Sequence, residues 1–344
     1  TSQTQIVDIV GVSGPLSAHG SSLRLPLGFV VDSSMMANGS PDEETKRAVR
    51  SSADQRPRLR DRVPSRRERL TAVERLRRRA VPSEKPLVVG DHRGGGEATV
   101  GPAARSAFRL VCWNIEDGLD VEGTIAGLTE HPNLANADAI CLQEMDPDGV
   151  ERISEELGLA YLYIESSQDE RTGRGFGNAI LSPWPLNDPD VVPLPHVAKA
   201  YGRPRAAVGA TVTKSLPSDS TLSVSTWSIH AEIPSLSLSG RVAQFTAVAA
   251  RATATNPDHL LLAGDFNTTT LTSVVAIDDL YNMFDLERLT EPAGASLRRA
   301  GRLFHLDHIF GRGLEVHGVG VERSVIASDH WPLWVDVVPR SSDT

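Results

Sequence analysis

The stretch Leu260-Leu-Leu-Ala-Gly-Asp-Phe-Asn267 decides the fold of this chain, because an apolar run stops abruptly there at an acid and an amide. A short apolar run bounded by turn-forming residues is typical of a buried strand. The same pattern recurs five times between residues 108 and 330. The polar residues that end these other runs are Asn114, the pair Gln143-Glu144, His230, Asp307 and the pair Asp329-His330.

Each of these polar residues, taken alone, is explained equally well as a turn former, since Asp and Asn commonly end strands for backbone reasons. Six such ends, two of them carrying a histidine, are harder to explain in that way. Strand ends are rigid points from which a scaffold aims functional groups. The pattern therefore predicts one site built from several strands.

The chain around these runs predicts an α/β (α+β) domain over residues 106–340. Helical patterns occupy about 121–130, 148–158, 241–254 and 270–280, and short strands alternating with helices indicate buried sheets. The predicted strands are Phe108–Asn114, Ala137–Gln143, Asn178–Leu181, Arg205–Val212, Thr221–His230, His259–Ala263, Leu306–Phe310 and Leu333–Val338.

Residues 1–105 have a different character and are predicted to be a poorly ordered extension. They carry a net charge of +6 and the rest of the chain −15, which together give −9. Between Arg56 and Arg79 there are 11 arginines and three acids. The capping-box pattern Ser65-Arg-Arg-Glu68 predicts a short helix over about 66–80, closed by Pro82, and the Gly-rich residues 90–101 predict a linker. This arm is either a solvated leader, the interpretation we favour, or an electrostatic contact for nucleic acid, acidic lipid or an acidic partner.

The two cysteines, Cys112 and Cys141, lie inside apolar runs and form neither a disulfide framework nor a CxxC site. This usage fits a reducing compartment. The sequence has no apolar stretch of roughly 20 residues and no secretory signal pattern. We therefore expect a cytoplasmic monomer with no membrane span and no obligate protein partner.

The residue types at the strand ends suit the cleavage of a phosphate ester. A carboxylate together with an amide oxygen is a donor set for Mg²⁺, Mn²⁺ or Ca²⁺ rather than zinc. A histidine oriented by a carboxylate can activate water or hold the transition state. A second histidine and an asparagine can donate to phosphoryl oxygens as charge grows there.

These residues and their order resemble the endonuclease/exonuclease/phosphatase superfamily, whose fold is deoxyribonuclease-like. The resemblance covers essentially all of residues 106–338. The matching stretches are Cys112-Trp-Asn-Ile115, Cys141-Leu-Gln-Glu144, Gly177-Asn-Ala-Ile-Leu-Ser182, Ser228-Ile-His230, Arg241-x-x-Gln244, Gly264-Asp-Phe-Asn267, Leu306-Asp-His-Ile309 and Ser328-Asp-His-Trp-Pro332. The resemblance implies a four-layer α/β/β/α sandwich with the site at one edge.

The resemblance also implies a metal site. By position, Asn114 and Glu144 would bind the ion, and Asp329 would be a further ligand or a supporting carboxylate. The implied cofactor is Mg²⁺, with Mn²⁺ or Ca²⁺ as substitutes.

The resemblance further implies catalytic roles for five residues. Asp307 would orient His330, and that pair would activate or hold the attacking water. Asp265 is the competing candidate for the general base. Asn267 would position the phosphate, and His230 would stabilise the pentavalent phosphorus or assist the leaving group.

One departure from the family pattern concerns the residue that orients His230. The family commonly places an acid just before the strand that begins near residue 205, and that acid pairs with the histidine. This chain has Gly202-Arg-Pro204 there, so Glu232 or Glu165 are the candidate replacements.

A second departure is the cluster His305-x-Asp307-His308, which could be interpreted as a zinc site. Side chains alternate across a strand, so Asp307 and His308 are expected on opposite faces. That alternation argues against zinc.

The resulting hypothesis is divalent-metal-dependent hydrolysis of a phosphoester, first of all a phosphodiester of nuclease type, with nucleic acid as a candidate substrate. One alternative is a lipid or inositol phosphate phosphatase, or a sphingomyelinase-type phosphodiesterase. Another is non-catalytic binding of nucleic acid or an acidic partner through Arg56–Arg79. The acidic body and the low aromatic content of 5% weigh mildly against tight, non-specific DNA binding.

Overall fold

A computed structural model describes residues 80–93, 105–170, 172–200 and 202–341. Four α-helices are present in this part of the chain: α1 (Val121–Glu130), α2 (Pro147–Leu157), α3 (Leu238–Thr253) and α4 (Leu271–Asn282). The strands are β1 (Ala80–Pro82), β2 (Val88–Asp91), β3 (Phe108–Asn114), β4 (Ala139–Met145), β5 (Ala160–Asp169), β6 (Gly175–Ser182), β7 (Leu186–Pro193), β8 (Ala206–Ser215), β9 (Thr221–His230), β10 (Leu260–Asp265), β11 (Glu287–Arg288), β12 (Leu297–Arg299), β13 (Arg302–Phe304), β14 (Asp307–Arg312), β15 (Leu314–Val321) and β16 (Leu333–Pro339).

Helix α2 illustrates how the local sequence sets the ends of an element. The Asp146 side chain accepts a hydrogen bond from the Gly149 amide, and Pro147 occupies the first turn, where no amide hydrogen is needed. Gly158 ends the helix in the left-handed conformation, at φ 63°. The sequence boundary of 148–158 is therefore correct to within one residue.

Two sheets lie at the centre of the domain. The first has the order β1-β5-β6-β4-β3-β16-β15, with β2 also paired to β5, and the second has the order β11-β14-β10-β9-β8-β7. Apolar residues of both sheets pack against each other, including Leu110 and Cys141 from the first and Val208 and Leu261 from the second. The outer faces pack against helices, the first sheet against α1 and α2 and the second against α3 and α4. This arrangement is the expected four-layer α/β/β/α sandwich.

The strand register gathers the polar strand ends at one edge. Strands β3 and β4 run parallel, and so do β9 and β10, so their carboxyl ends share an edge. In the second sheet, Asp265 pairs with His230 on one side and with Asp307 on the other. In the first sheet, β16 begins beside the end of β3, with Leu333 paired to Cys112. His330 therefore lies close to the end of β3.

The opposite edge of the sandwich is anchored by a buried ion pair. Lys214 Nζ lies 2.9 Å from Asp138 Oδ2, and both side chains are fully buried. The Trp184 indole donates to the other carboxylate oxygen of Asp138 at 2.8 Å. The pKa of Lys214 is lowered by burial, against the attraction of Asp138. The pair links the start of β4 in one sheet to the end of β8 in the other.

The N-terminal boundary at residue 106 is too late for two strands. Strands β1 and β2 both pair with β5, so residues 80–91 belong to the first sheet. Gly90 and Asp91, expected within a linker, form the end of β2. The predicted basic helix lies outside the described residues, apart from Ala80, which is in β1.

None of the helices in the described ranges has the length and hydrophobicity needed to cross a bilayer.

Candidate active site

The site lies where the carboxyl ends of β3, β4, β9 and β10 meet the starts of β14 and β16. Asp265 is at its centre. Its Oδ2 accepts a hydrogen bond from Asn114 Nδ2 at 3.1 Å, which joins the two sheets. The same oxygen lies 3.5 Å from His230 Nε2 and 3.9 Å from His330 Nε2. One buried carboxylate therefore contacts three other residues that the sequence nominated.

The turn after β3 binds the side chains of both Asn114 and Glu144. Two consecutive amides hold them: Glu116 N donates to Asn114 Oδ1 and Asp117 N donates to Glu144 Oε2, both at 3.1 Å. Glu116, Asp117 and Glu144 all have positive φ, between 54° and 60°. Non-glycine residues rarely adopt this conformation, and it often marks functional sites.

Glu144 and Asp265 both sit where a negative charge is unfavourable. Burial, reinforced by the charge of Asp117, raises the pKa of Glu144 to about 7. Burial, reinforced by Asp307, raises the pKa of Asp265 to about 6. Excess negative charge in a confined site is the condition that a bound cation relieves.

His330 is held by Asp307. Its Nδ1 lies 2.8 Å from Asp307 Oδ2, and both side chains are buried. Burial opposes ionisation of His330, but the charges of Asp307, Asp265 and Asp329 outweigh it and raise its pKa well above the usual value. The raised pKa favours the imidazolium form, in which Nδ1–H donates to Asp307.

His230 is held by an arginine and by neither of the two expected acids. Arg205 Nη1 lies 2.9 Å from His230 Nδ1. Glu232 instead lies beside Arg205, 3.8 Å from its Nε, and Glu165 binds Ser83 and Lys85. Burial, followed by the charge of Arg205, lowers the pKa of His230 well below the usual value. The expectation that Glu232 or Glu165 orients His230 directly is wrong.

The remaining two nominated residues complete the site. Asn267 follows β10 in a left-handed conformation, with φ 52°. Its amide donates to Asp265 Oδ1 at 2.8 Å and its Nδ2 donates to Ala231 O at 3.0 Å. Asp329 is exposed at the rim, where its amide donates to Glu116 Oε2 at 3.2 Å.

The donor set fits a hard divalent cation. Glu144 Oε2 is held by the turn, while its side chain is 23% exposed and open to an ion. Asn114 offers an amide oxygen that accepts from the neighbouring amide of the same turn, and Asp329 is exposed at the rim. Oxygen donors of this kind suit Mg²⁺, Mn²⁺ or Ca²⁺.

The zinc interpretation of the His305-x-Asp307-His308 cluster is wrong for the described structure. His308 Nε2 lies 2.7 Å from Thr268 Oγ1, and burial lowers the pKa of its imidazole to about 3. Asp307 faces His330 instead. Within the described residues, one group of three or more His, Cys, Asp or Glu side chains is close enough to share an ion, and its members are Asp265, Asp307 and His330.

Sequence reasoning missed the residues that surround His230. The ring of Phe176 lies 5.6 Å from the His230 ring, and the guanidinium groups of Arg203 and Arg205 lie 4.4 and 4.9 Å from the Phe176 ring centre. A buried arginine at the start of a strand is unusual, since arginine is almost never fully buried unless paired. That rarity was the available signal for Arg205.

Three solved structures show the same fold at low sequence identity. An endonuclease/exonuclease/phosphatase protein from Beutenbergia cavernae DSM 12333 is 19% identical, with a TM-score of 0.53 over 68% of this chain and 72% of that one. A D. rerio TDP2 complex with a single-strand DNA product is also 19% identical, with a TM-score of 0.52 and coverage of 68% and 99%. The human Nocturnin catalytic domain with a bound sulfate anion is 18% identical, with a TM-score of 0.52 and coverage of 77% and 99%.

Comparison with curated protein sequences gave no match. The sequence model of the Endonuclease/Exonuclease/phosphatase family matches residues 111–330, a span that contains every residue nominated for the site. Since that match covers more than half of the sequence, this chain belongs to the endonuclease/exonuclease/phosphatase family.

Proposed function

We propose that this protein hydrolyses a phosphodiester by in-line attack of water, in a reaction that depends on a divalent cation. The observation that carries the proposal is the position of Asp265, whose carboxylate contacts Asn114, His230 and His330 within 3.9 Å. The presence of the whole set at one edge of the sheets supports a catalytic role over a purely binding role.

Asn114, Glu144 and Asp329 would hold the cation. When bound, a divalent ion neutralises phosphoryl oxygens and the charge that develops on the leaving oxygen. The turn amides of Glu116 and Asp117 fix the oxygens of Asn114 and Glu144 before any ligand arrives. This preorganisation avoids a cost of rearrangement on binding.

His330 and Asp265 would have different roles, His330 toward the phosphate and Asp265 toward the attacking water. His330 is already protonated by its pairing with Asp307, so it acts as a hydrogen-bond donor to a phosphoryl oxygen. Asp265, with a pKa of about 6, is ionised near neutral pH and can accept the proton of the attacking water. Asn267, two residues after Asp265, would position the phosphate through its side-chain amide.

Features beside the site favour a nucleic acid substrate over a small monoester. The β12–β13 hairpin carries Arg298, Arg299 and Arg302, and its Leu297 forms a backbone bridge to His330. A cavity of about 660 Å³ lies between this hairpin and the start of α4, with Phe304 on its wall. Arginines bind backbone phosphates and an aromatic ring can stack on a base. The DNA product bound to the D. rerio TDP2 structure supports the same choice.

Activity measurements on site variants test the proposal. His330→Ala and Asp265→Asn should each reduce turnover of bis-p-nitrophenyl phosphate by about 10²-fold or more, the range expected for acid–base and electrostatic groups. His317→Ala and Asp219→Asn, both outside the site, should retain the wild-type rate. Near-normal rates in both site variants would refute the assignment.

A substrate panel separates the alternatives. With Mg²⁺ or Mn²⁺, and with EDTA as the control, the panel should contain plasmid DNA, single strands, inositol phosphates and sphingomyelin. Turnover of the last two alone would favour the phosphatase or sphingomyelinase alternative. A chain that begins at residue 80 keeps β1 and should keep metal-dependent turnover. Loss of all activity in this shortened chain would indicate that the arm Arg56–Arg79 carries the function.

A further inference from the structure

The two ring nitrogens of His230 face opposite kinds of chemical group. Nδ1 lies 2.9 Å from a guanidinium nitrogen of Arg205. Nε2 lies 3.5 Å from Asp265 Oδ2 and 3.9 Å from Glu144 Oε1. A guanidinium can only donate hydrogen bonds and an ionised carboxylate can only accept them. The hydrogen of a neutral imidazole therefore belongs on Nε2.

Arg205 is itself buried beside an aromatic ring and a carboxylate. It directly precedes β8 and its side chain is 4% exposed. The guanidinium lies over the Phe176 ring, and its Nε lies 3.8 Å from Glu232 Oε1. Glu232 is fully buried and accepts hydrogen bonds from the backbone amides of Ala198, Arg203 and Ile233. The buried Glu232 carboxylate therefore lies next to the Arg205 guanidinium, and the guanidinium contacts Nδ1 of His230.

His330 has the opposite arrangement. Its Nδ1 faces Asp307 Oδ2, an acceptor, so Nδ1 carries a hydrogen. The same ring atom of His230 faces a donor and carries none. The partner at Nδ1 therefore differs between the two histidines, and it places a hydrogen on Nδ1 of His330 and none on Nδ1 of His230.

We propose that Arg205, which lies 3.8 Å from Glu232, is a positioning residue that fixes His230 as the Nε2–H tautomer, so that His230 donates a hydrogen bond to a phosphoryl oxygen. The role of His230 toward substrate rests on the proposed function, but the tautomer does not. His230 keeps its proton throughout the reaction, and no bond to it forms or breaks. Its contribution is a fixed donor aimed at charge that grows in the transition state.

The first test is ¹⁵N NMR of the imidazole rings in the metal-free, full-length protein, with the His230 signals assigned by comparison with His230→Gln. The wild-type spectrum should show an unprotonated, hydrogen-bonded Nδ1 and a protonated Nε2. An Nδ1–H signal for His230 would overturn the proposal without any variant. This measurement needs neither substrate nor metal, so it stands or fails separately from hydrolysis.

The second test uses Arg205→Met, which keeps a long side chain and removes the donors. The Nε2–H preference of His230 should be lost, and kcat should fall about 10- to 100-fold, as for other outer partners of site histidines. KM should change less than kcat. Arg203→Met is the matched control, because Arg203 also stacks on Phe176 but does not bond to His230, and it should leave the tautomer unchanged.

Arg205→Lys covers the case in which the Met variant does not fold. An ammonium group also only donates, so this variant should keep the Nε2–H tautomer and recover part of the rate. An unchanged tautomer in a folded Arg205→Met protein would refute the positioning role. Hydrolysis that persists with an Nδ1–H His230 would refute this inference and leave the proposed function standing.

Discussion

Replacing Asp307 by Asn tests whether this carboxylate acts on hydrolysis through His330. The two side chains are joined by one contact of 2.8 Å, between Asp307 Oδ2 and His330 Nδ1, in a buried environment. Asparagine keeps the size of the side chain and removes its charge. His330 retains a second acidic neighbour, because Asp265 Oδ2 lies 3.9 Å from its Nε2.

The size of the effect follows from the charge that is lost. Two unit charges about 4 Å apart attract each other by roughly 4 kcal/mol at an effective dielectric constant of 20. If the whole of that attraction acted in the transition state, turnover would fall by about 10³-fold, at 1.36 kcal/mol for each factor of ten. Asp265 still stabilises the imidazolium in the variant. We therefore expect about half of the roughly 4 kcal/mol to be lost from the transition state, which corresponds to roughly a 30-fold loss in kcat.

The assay is a double-mutant cycle on bis-p-nitrophenyl phosphate hydrolysis at saturating Mg²⁺. It compares Asp307→Asn, His330→Ala and the double variant with the wild-type chain. If Asp307 acts only through His330, the double variant should be no slower than His330→Ala by more than about threefold. Losses that multiply would show that Asp307 has a separate role, and the reasoning from the 2.8 Å contact would then be wrong.

The remaining predictions concern stability. Because the pKa values of Glu144 and Asp265 are raised to about 7 and about 6, the folded metal-free state binds their protons more tightly than the unfolded chain does. The contribution of these two carboxyl groups to the free energy of unfolding should therefore fall between about pH 4 and pH 7. Urea titrations in EDTA should show that the free energy of unfolding declines less steeply with pH for Glu144→Gln than for the wild-type chain. Added Mg²⁺ should restore the stability of the wild-type chain at pH 8. An identical pH dependence in both proteins would contradict the raised pKa of Glu144. In the buried pair, Lys214→Met leaves the Asp138 charge without its partner and should cost about 3–5 kcal/mol, whereas the exposed Lys199→Met should cost almost nothing. Equal unfolding midpoints for these two variants would exclude a structural role of the pair.

The strands and helices that carry the site were predictable because the local pattern of apolar residues indicates which of their residues are buried. Strands β3 and β9 have the predicted bounds, and each of the four predicted helices lies within three residues of its observed position. In β3 and β10 every residue is buried, and in each strand an apolar run (Leu110–Trp113 and Leu260–Ala263) stops close to the site. A local pattern of this kind needs no knowledge of the neighbouring strands.

Three of the strands that were not predicted, β1, β2 and β7, pair with residues far away in the chain or lie at a sheet edge. Strands β1 and β2 are three and four residues long, and they exist because β5 offers an open edge about 80 positions later in the chain. Strand β7 contains two prolines and two aspartates, and it lies at the edge of the second sheet. An edge strand needs no continuous apolar run, because one side of it is not covered by another strand.

The sequence by itself predicted which strand-end side chains gather at this edge, since each one follows an apolar run whose end is visible without the fold, but it did not indicate Phe176, Arg203 or Arg205. Only the tertiary structure decided which of them touch. The register that sets Asp265 between His230 and Asp307, and the contact that gives His230 an arginine in place of an acid, join residues 25 to 42 positions apart. Such contacts depend on strand order and side-chain rotamers, which become fixed only when both sheets have packed together.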